Sequence, residues 1–217
     1  WQDAPDAEPL PEISGCVEFH DVGFSYVKGR KVLHGISFRA DPGKTVALVG
    51  PTGGGKSTIA SLVAKFHIPE SGSITIDGKD ILKIQSASLR EHVGIVLQQN
   101  FLFSGTVLEN ILIGKHGATA PEAREAASRI DCLDMIESLP DGFDTKVGEN
   151  GVGLSLGQRQ LICFSRAMLA NPRILILDEA TSSIDAITEA RIQSALAKLL
   201  AGRTSFIVAH RMSTIKN

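Results

Sequence analysis

The spacing of apolar residues changes along the chain, and each change predicts an element. Val17-Glu18-Phe19-His20 and Ile36-Ser37-Phe38-Arg39 alternate with period two, as strands with one buried face do. Asp41-Pro42-Gly43-Lys44 reads as a turn. The run Thr45-Val46-Ala47-Leu48-Val49 predicts a buried strand, and a helix is expected from Lys56 to about Phe66. Ser73-Ile74-Thr75-Ile76 predicts a strand turning at Asp77-Gly78, and Val93-Gly94-Ile95-Val96-Leu97 another buried strand.

From about Ser104 to Ala170 the spacing becomes helical. Pro121 opens a run of strong helix formers to Ala127, and Leu133–Leu139 predicts a short helix ended by Pro140-Asp141-Gly142. Gly157–Leu169 predicts a longer helix stopped by Asn171-Pro172. Arg173-Ile174-Leu175-Ile176-Leu177 then reads as a strand buried on both faces. A helix over Ile187–Leu200 and a buried strand over Ser205–Ala209 follow. The layout is an α/β core interrupted by a helical insertion. The acidic, proline-rich start (Pro5, Pro9, Pro11) has the composition of an extended, poorly ordered linker. A doubly wound domain ordinarily continues past its last strand, so a missing C-terminal end is expected after Asn217.

Between the Thr45–Val49 strand and its helix lies Gly50-Pro51-Thr52-Gly53-Gly54-Gly55-Lys56-Ser57-Thr58, which fits the phosphate-loop pattern. Glycines let the backbone curl with its N–H groups inward, and the helix start adds its positive end. Lys56 is expected to reach the β- and γ-phosphates and Ser57 to hold Mg²⁺. Asp178 and Glu179 follow Ile174–Leu177, where a strand of an open α/β sheet emerges. Asp178 is placed to hold Mg²⁺ and Glu179 to orient or deprotonate an attacking water.

Composition narrows the field. The 217 residues are 43% hydrophobic and 21% charged, enough for a sizeable core. A formal net charge of −2 offers nucleic acid no overall basic field, which leaves only a local basic patch open, and 5% aromatics argue against base-stacking surfaces. Cys16, Cys132 and Cys163 form no C-x-x-C pair and read as reduced thiols, Cys163 as plain core. No apolar run approaches the roughly 20 residues that cross a bilayer.

With these motifs, Leu154-Ser155-Leu156-Gly157-Gln158 resembles the signature of the nucleotide-binding domain of ATP-binding cassette (ABC) transporters, usually Leu-Ser-Gly-Gly-Gln. The resemblance spans nearly the whole chain after the linker. It implies a P-loop NTPase core of the α/β class with an N-terminal antiparallel β region and an inserted α-helical subdomain. The expected boundaries are a linker over 1–15 from a preceding transmembrane domain and a nucleotide-binding domain over 16–217. Its core would cover 16–98 and 173–217, and its helical subdomain about 99–172.

The resemblance also assigns roles. Tyr26 would stack on adenine; Gln98 would sense Mg²⁺ and the attacking water; His210 would contact the γ-phosphate. Gly50 to Thr58 would cradle ATP. Ser155, Gly157, Gln158 and Asp185 would meet ATP held by a second nucleotide-binding domain, in a homodimer or heterodimer. Phe101–Ile111 and Thr145–Gly151 resemble exporter segments, which implies transmembrane domains on the same polypeptide. It also implies work at the cytoplasmic face of a membrane, and no nucleic-acid partner. Leu156 departs from the usual glycine; with Glu179 kept, the chain resembles the catalytic subunit of exporters that pair two unlike cassettes. The competing reading is a soluble cassette ATPase acting on nucleic acid or ribosomes. It lacks support from the charge, and no long heptad stretch lies between Lys56 and Ser155.

Overall fold

A computed structural model describes residues 3–97, 100–148, 151–179 and 185–209, except the side chains of Glu179 and Ala209. Its residues group into two compact units, one of residues 1–94, 173–179 and 202–217, the other of residues 95–172 and 180–201.

The first unit contains β1 (Val17–Val27), β2 (Arg30–Ala40), β3 (Thr45–Leu48), α1 (Lys56–Val63), β4 (Ser71–Ile76), β5 (Lys79–Asp80) and α2 (Ser86–His92). It also takes in the start of β6 (Val93–Val96). β1 pairs antiparallel with β2 and β4, in the sheet order β2-β1-β4-β5. The predicted alternation is what buries Val17 and Phe19 while His20 stays exposed. Strands β9 (Ile174–Glu179) and β10 (Thr204–Ala209) form the middle of a second sheet, ordered β3-β10-β9-β6. Both β10 pairings are parallel. Phe38 joins the layers: it stacks on Phe19 at 4.5 Å and meets Phe206 edge-on at 6.2 Å.

Two strands expected to be buried are less so. Thr45 and Ala47 of β3 are exposed, and β6 is half-buried except at Val96. Both are outer strands among those described, whereas β9 and β10 lie between neighbours, and Ile174, Leu175, Phe206 and Val208 are buried. An apolar run by itself does not say which strand of a sheet is central.

The amino-terminal segment differs more from expectation. Residues 3–15 dock on the first unit instead of trailing as a loose linker. Lys65 leaves α1 with a positive φ of 53° and is 1% exposed. Its Nζ meets Asp3 at 2.9 Å and also donates to the Ile84 carbonyl. Asp3 in turn accepts from the Ser86 N–H at 2.8 Å and the Ser86 hydroxyl at 2.5 Å, at the start of α2. Chiefly through Ser86, and then Lys65, its carboxyl is held down at about 2. Glu8 forms a parallel bridge with Ile84, and Leu10 and Ile13 are buried. Asp77 accepts from the backbone N–H groups of Ser14, Gly15 and Cys16. Composition registered the prolines but not these partners.

The second unit holds β7 (Gly105–Thr106), α3 (Val107–Leu112), α4 (Ala120–Arg129), α5 (Leu133–Glu137), β8 (Lys146–Val147), α6 (Leu156–Ala170) and α7 (Ala186–Leu200). α3 and α4 begin with capping boxes, Thr106–Glu109 and Thr119–Glu122. α6 packs on α3, α4 and α7 around Ile111, Ala123, Ile162 and Ile192, all buried. Cys132 and Cys163 are buried here, and burial pushes the Cys132 thiol up to about 12. No helix among the described residues is long and apolar enough to cross a membrane.

Candidate nucleotide site

The phosphate loop is shaped by glycines that another residue would not replace. Gly53 has φ 81° and Gly55, the N-cap of α1, has φ 82°, both in the left-handed region. A β-carbon on Gly55 would also stand 2.7 Å from Leu33 Cδ2 of β2, so strand and loop approach closely there. The Gly54 N–H donates to the Pro51 carbonyl at 3.0 Å, closing the loop on itself. Lys56, 8% exposed, donates to the carbonyls of Gly50 and Pro51, each at 2.9 Å. Its ammonium therefore lies across the loop that the sequence assigns to phosphate. Pro51, Thr52 and Ser57 are exposed along it.

Thr58, one turn into α1, is buried and lies 3.1 Å from the Tyr26 hydroxyl. The Tyr26 ring meets Phe24 and His67 edge-on at 4.9 and 5.2 Å, yet Tyr26 is 54% exposed. It is an anchored surface ring rather than part of the strand core.

Strand register places the acid. Val208 of β10 pairs with Leu48 of β3 on one side and Asp178 of β9 on the other. The three residues form a row across the sheet, so Asp178 and the strand end feeding the loop share one edge, about 10 Å apart at ordinary strand spacing. Asp178 is half-buried, and Glu179 ends β9 beside it, paired with Ala209. The Glu179 side chain, Gln98 and His210 lie outside the described residues.

The second unit carries the remaining candidates. Ser155 caps α6: its hydroxyl accepts from the Gln158 N–H at 3.2 Å, and Gln158 Oε1 accepts from the Ser155 N–H at 2.8 Å. The signature is thus a capping box that ends in an exposed serine. Gly157 is buried where α6 meets α7. Asp185 caps α7, accepting from Thr188 and Ile187 N–H at 3.0 and 3.1 Å; Thr188 foremost, then Ile187, hold its carboxyl below the usual range. Within the first unit the structure brings together Lys56, Thr58 and Tyr26, with Asp178 on the same sheet edge. Ser155, Gly157, Gln158 and Asp185 gather at two adjacent helix starts of the second.

A family model described as ABC transporter matches residues 33–182. The chain belongs to the ABC transporter family. As an ABC transporter ATPase domain it is 49% identical over 215 residues to the uncharacterized ABC transporter ATP-binding protein YfiC of Bacillus subtilis, covering 99% of this chain and 36% of that protein. It is also 49% identical over 216 residues to the beta-(1→2)glucan export ATP-binding/permease protein NdvA of Nitrobacter winogradskyi, covering 100% of this chain and 36% of that one. Among solved structures it resembles a bacterial Atm1-family ABC exporter with ATP bound, with TM-score 0.90 and 43% identity over 99% of this chain and 38% of that one. The chain thus spans about a third of the length of the relatives it matches.

One arrangement in this ABC domain was not legible in its motifs. Asn110, 1% exposed, accepts from the Phe103 N–H at 2.8 Å and donates to the Phe103 and Thr106 carbonyls at 2.9 and 3.0 Å. Arg166 of α6 donates to the Asn110 carbonyl and side chain and to the Phe101 carbonyl. Burial lowers the Arg166 pKa. Together they brace the loop bearing the exposed rings of Phe101 and Phe103. The signal was there: a polar Asn inside the apolar spacing Val107, Asn110, Ile111.

Proposed function

We propose that this domain is the ATP-driven motor of a membrane exporter. The observation that carries the reading is the pairing of a glycine-shaped loop, closed over Lys56, with Asp178 on the same sheet edge, in a chain whose relatives include export ATP-binding/permease proteins. Lys56 and the α1 start take the β- and γ-phosphates of ATP, and the exposed Tyr26 ring receives adenine. The donor set at this edge, one hydroxyl and one carboxylate, suits Mg²⁺, which keeps waters and shares its ligands with phosphate. Ser57, Asp178 and Gln98 would hold that Mg²⁺, which offsets phosphate charge when bound. Glu179 orients or deprotonates the water, and His210 contacts the γ-phosphate.

The exposed Ser155 at the α6 tip supports a second role. A helix start attracts a γ-phosphate, and here it serves ATP on a second nucleotide-binding domain. ATP then holds two domains together, and hydrolysis releases them. Residues 1–15 form the tether from transmembrane domains on the same polypeptide; residues 16–217 form the motor, with its helical region at about 99–172, at the cytoplasmic face. A soluble cassette acting on nucleic acid or ribosomes gains nothing from a net charge of −2.

Replacing Glu179 with Gln tests the reading: ATP still binds, turnover falls by about 10²–10⁴-fold and a dimer is trapped. Monomers throughout at saturating ATP and Mg²⁺ refute it. The half-buried Leu156 favours a partner cassette with an unaltered signature. Self-paired chain then hydrolyses slowly and Leu156→Gly speeds it; equal turnover in the two counts against unlike pairing.

A further inference from the structure

Gly157 occupies the second position of α6, and Thr188 the third position of α7. A β-carbon built on Gly157 would overlap the Thr188 Cγ2 methyl and lie 3.7 Å from Ile192 Cδ1. Gly157 is not among the glycines with positive φ, so its backbone accepts alanine and only the space does not. Thr188 faces two ways. Its N–H donates to Asp185 Oδ1 at 3.0 Å, and its methyl sits against the α6 backbone just beyond the Ser155 cap. The buried Ile192 closes the contact from the next turn of α7. One residue thus touches both capped helix starts, each of which carries residues assigned above to ATP on a second domain.

We propose that Thr188 is a positioning residue for hydrolysis: its methyl, seated in the space left by Gly157, locks the Ser155 tip of α6 to the Asp185 cap of α7. The inference rests on the dimer reading above and adds a physical reason for the glycine that does not involve the nucleotide. A glycine kept for Thr188 and a glycine kept for phosphate behave differently when a methyl is moved from one helix to the other.

The experiment is a double-mutant cycle on the full chain with Gly157→Ala, Thr188→Ser and both together, read by kcat, KM for ATP and thermal melting. The single changes should lower kcat, Gly157→Ala by about tenfold, with KM little altered because Lys56 and its loop are untouched. The pair restores the packed volume and should recover kcat to within about threefold of wild type. Recovery supports the proposal. Activity that stays lost in the pair shows that the glycine makes room for the nucleotide and overturns it, as does wild-type kcat in Gly157→Ala alone. Melting keeps the contact testable if the wild-type chain neither dimerises nor turns over. In that case the dimer reading fails, and the two substitutions must still couple in stability; additive effects overturn the contact as well.

Discussion

The lysine at the end of α1 offers a test with a sign and a size. Lys65 is 1% exposed and its ammonium faces the Asp3 carboxylate at 2.9 Å. Changing Asp3 to Asn keeps the shape and an acceptor for the Ser86 N–H but removes the negative charge. Breaking a fully buried pair costs about 3–5 kcal/mol. That is too much here, because the Asp3 side chain is 31% exposed. A carboxyl held at about 2 against an ordinary 3.8 sets a ceiling of about 2.4 kcal/mol at 1.36 kcal/mol per pH unit. Solvent screening brings this to about 1–2 kcal/mol. For a chain of this size the Tm should fall by about 2–8 °C. Because the folded pKa is depressed, the contribution is full above about pH 4 and disappears as pH drops towards 2. Urea unfolding of both proteins from pH 7 to pH 3 should therefore show a constant gap that narrows below pH 4. Equal stability at pH 7, or a gap that widens in acid, would refute the reasoning.

Two further outcomes follow from local geometry. Gly55→Ala sets a methyl against Leu33 at φ 82° and should cost about 1–3 kcal/mol while weakening ATP binding, measured by melting and by nucleotide titration. Asn110→Ala strands the Phe103 N–H and should cost about 1–3 kcal/mol, with faster amide exchange at Phe103 than at Ile162 in the α6 core.

Much of this fold could be read in the chain because its strongest signals are local. The phosphate loop, the Ile174–Leu177 strand and the helix expected over Gly157–Leu169 each announce themselves within about fifteen residues, and each forms as expected. Some short elements escaped notice, although α5, marked by the Pro140-Asp141-Gly142 stop, did not. α2 has seven residues and α3 six, too few turns for a period to stand out, and the β7–β8 pair joins two dipeptides about forty residues apart. The docked amino terminus was missed for a different reason. Prolines and acids resemble a loose linker until Lys65, sixty-two positions away, supplies a buried cation. Asn110 stands out as a polar residue in an apolar spacing, but its Arg166 partner lies fifty-six positions away, and Thr188 gives no sign in sequence of its contact with Gly157 on α6.

The three N–H groups gathered by Asp77 have a mechanical consequence. A pull on the amino end does not unzip β1 from its tip. In chain order the load meets the Lys65 anchor, then the Glu8–Ile84 bridge, then a carboxylate gripping Ser14, Gly15 and Cys16. Each contact must give before the next is loaded, so tension on the amino-terminal segment reaches the β1 ladder last.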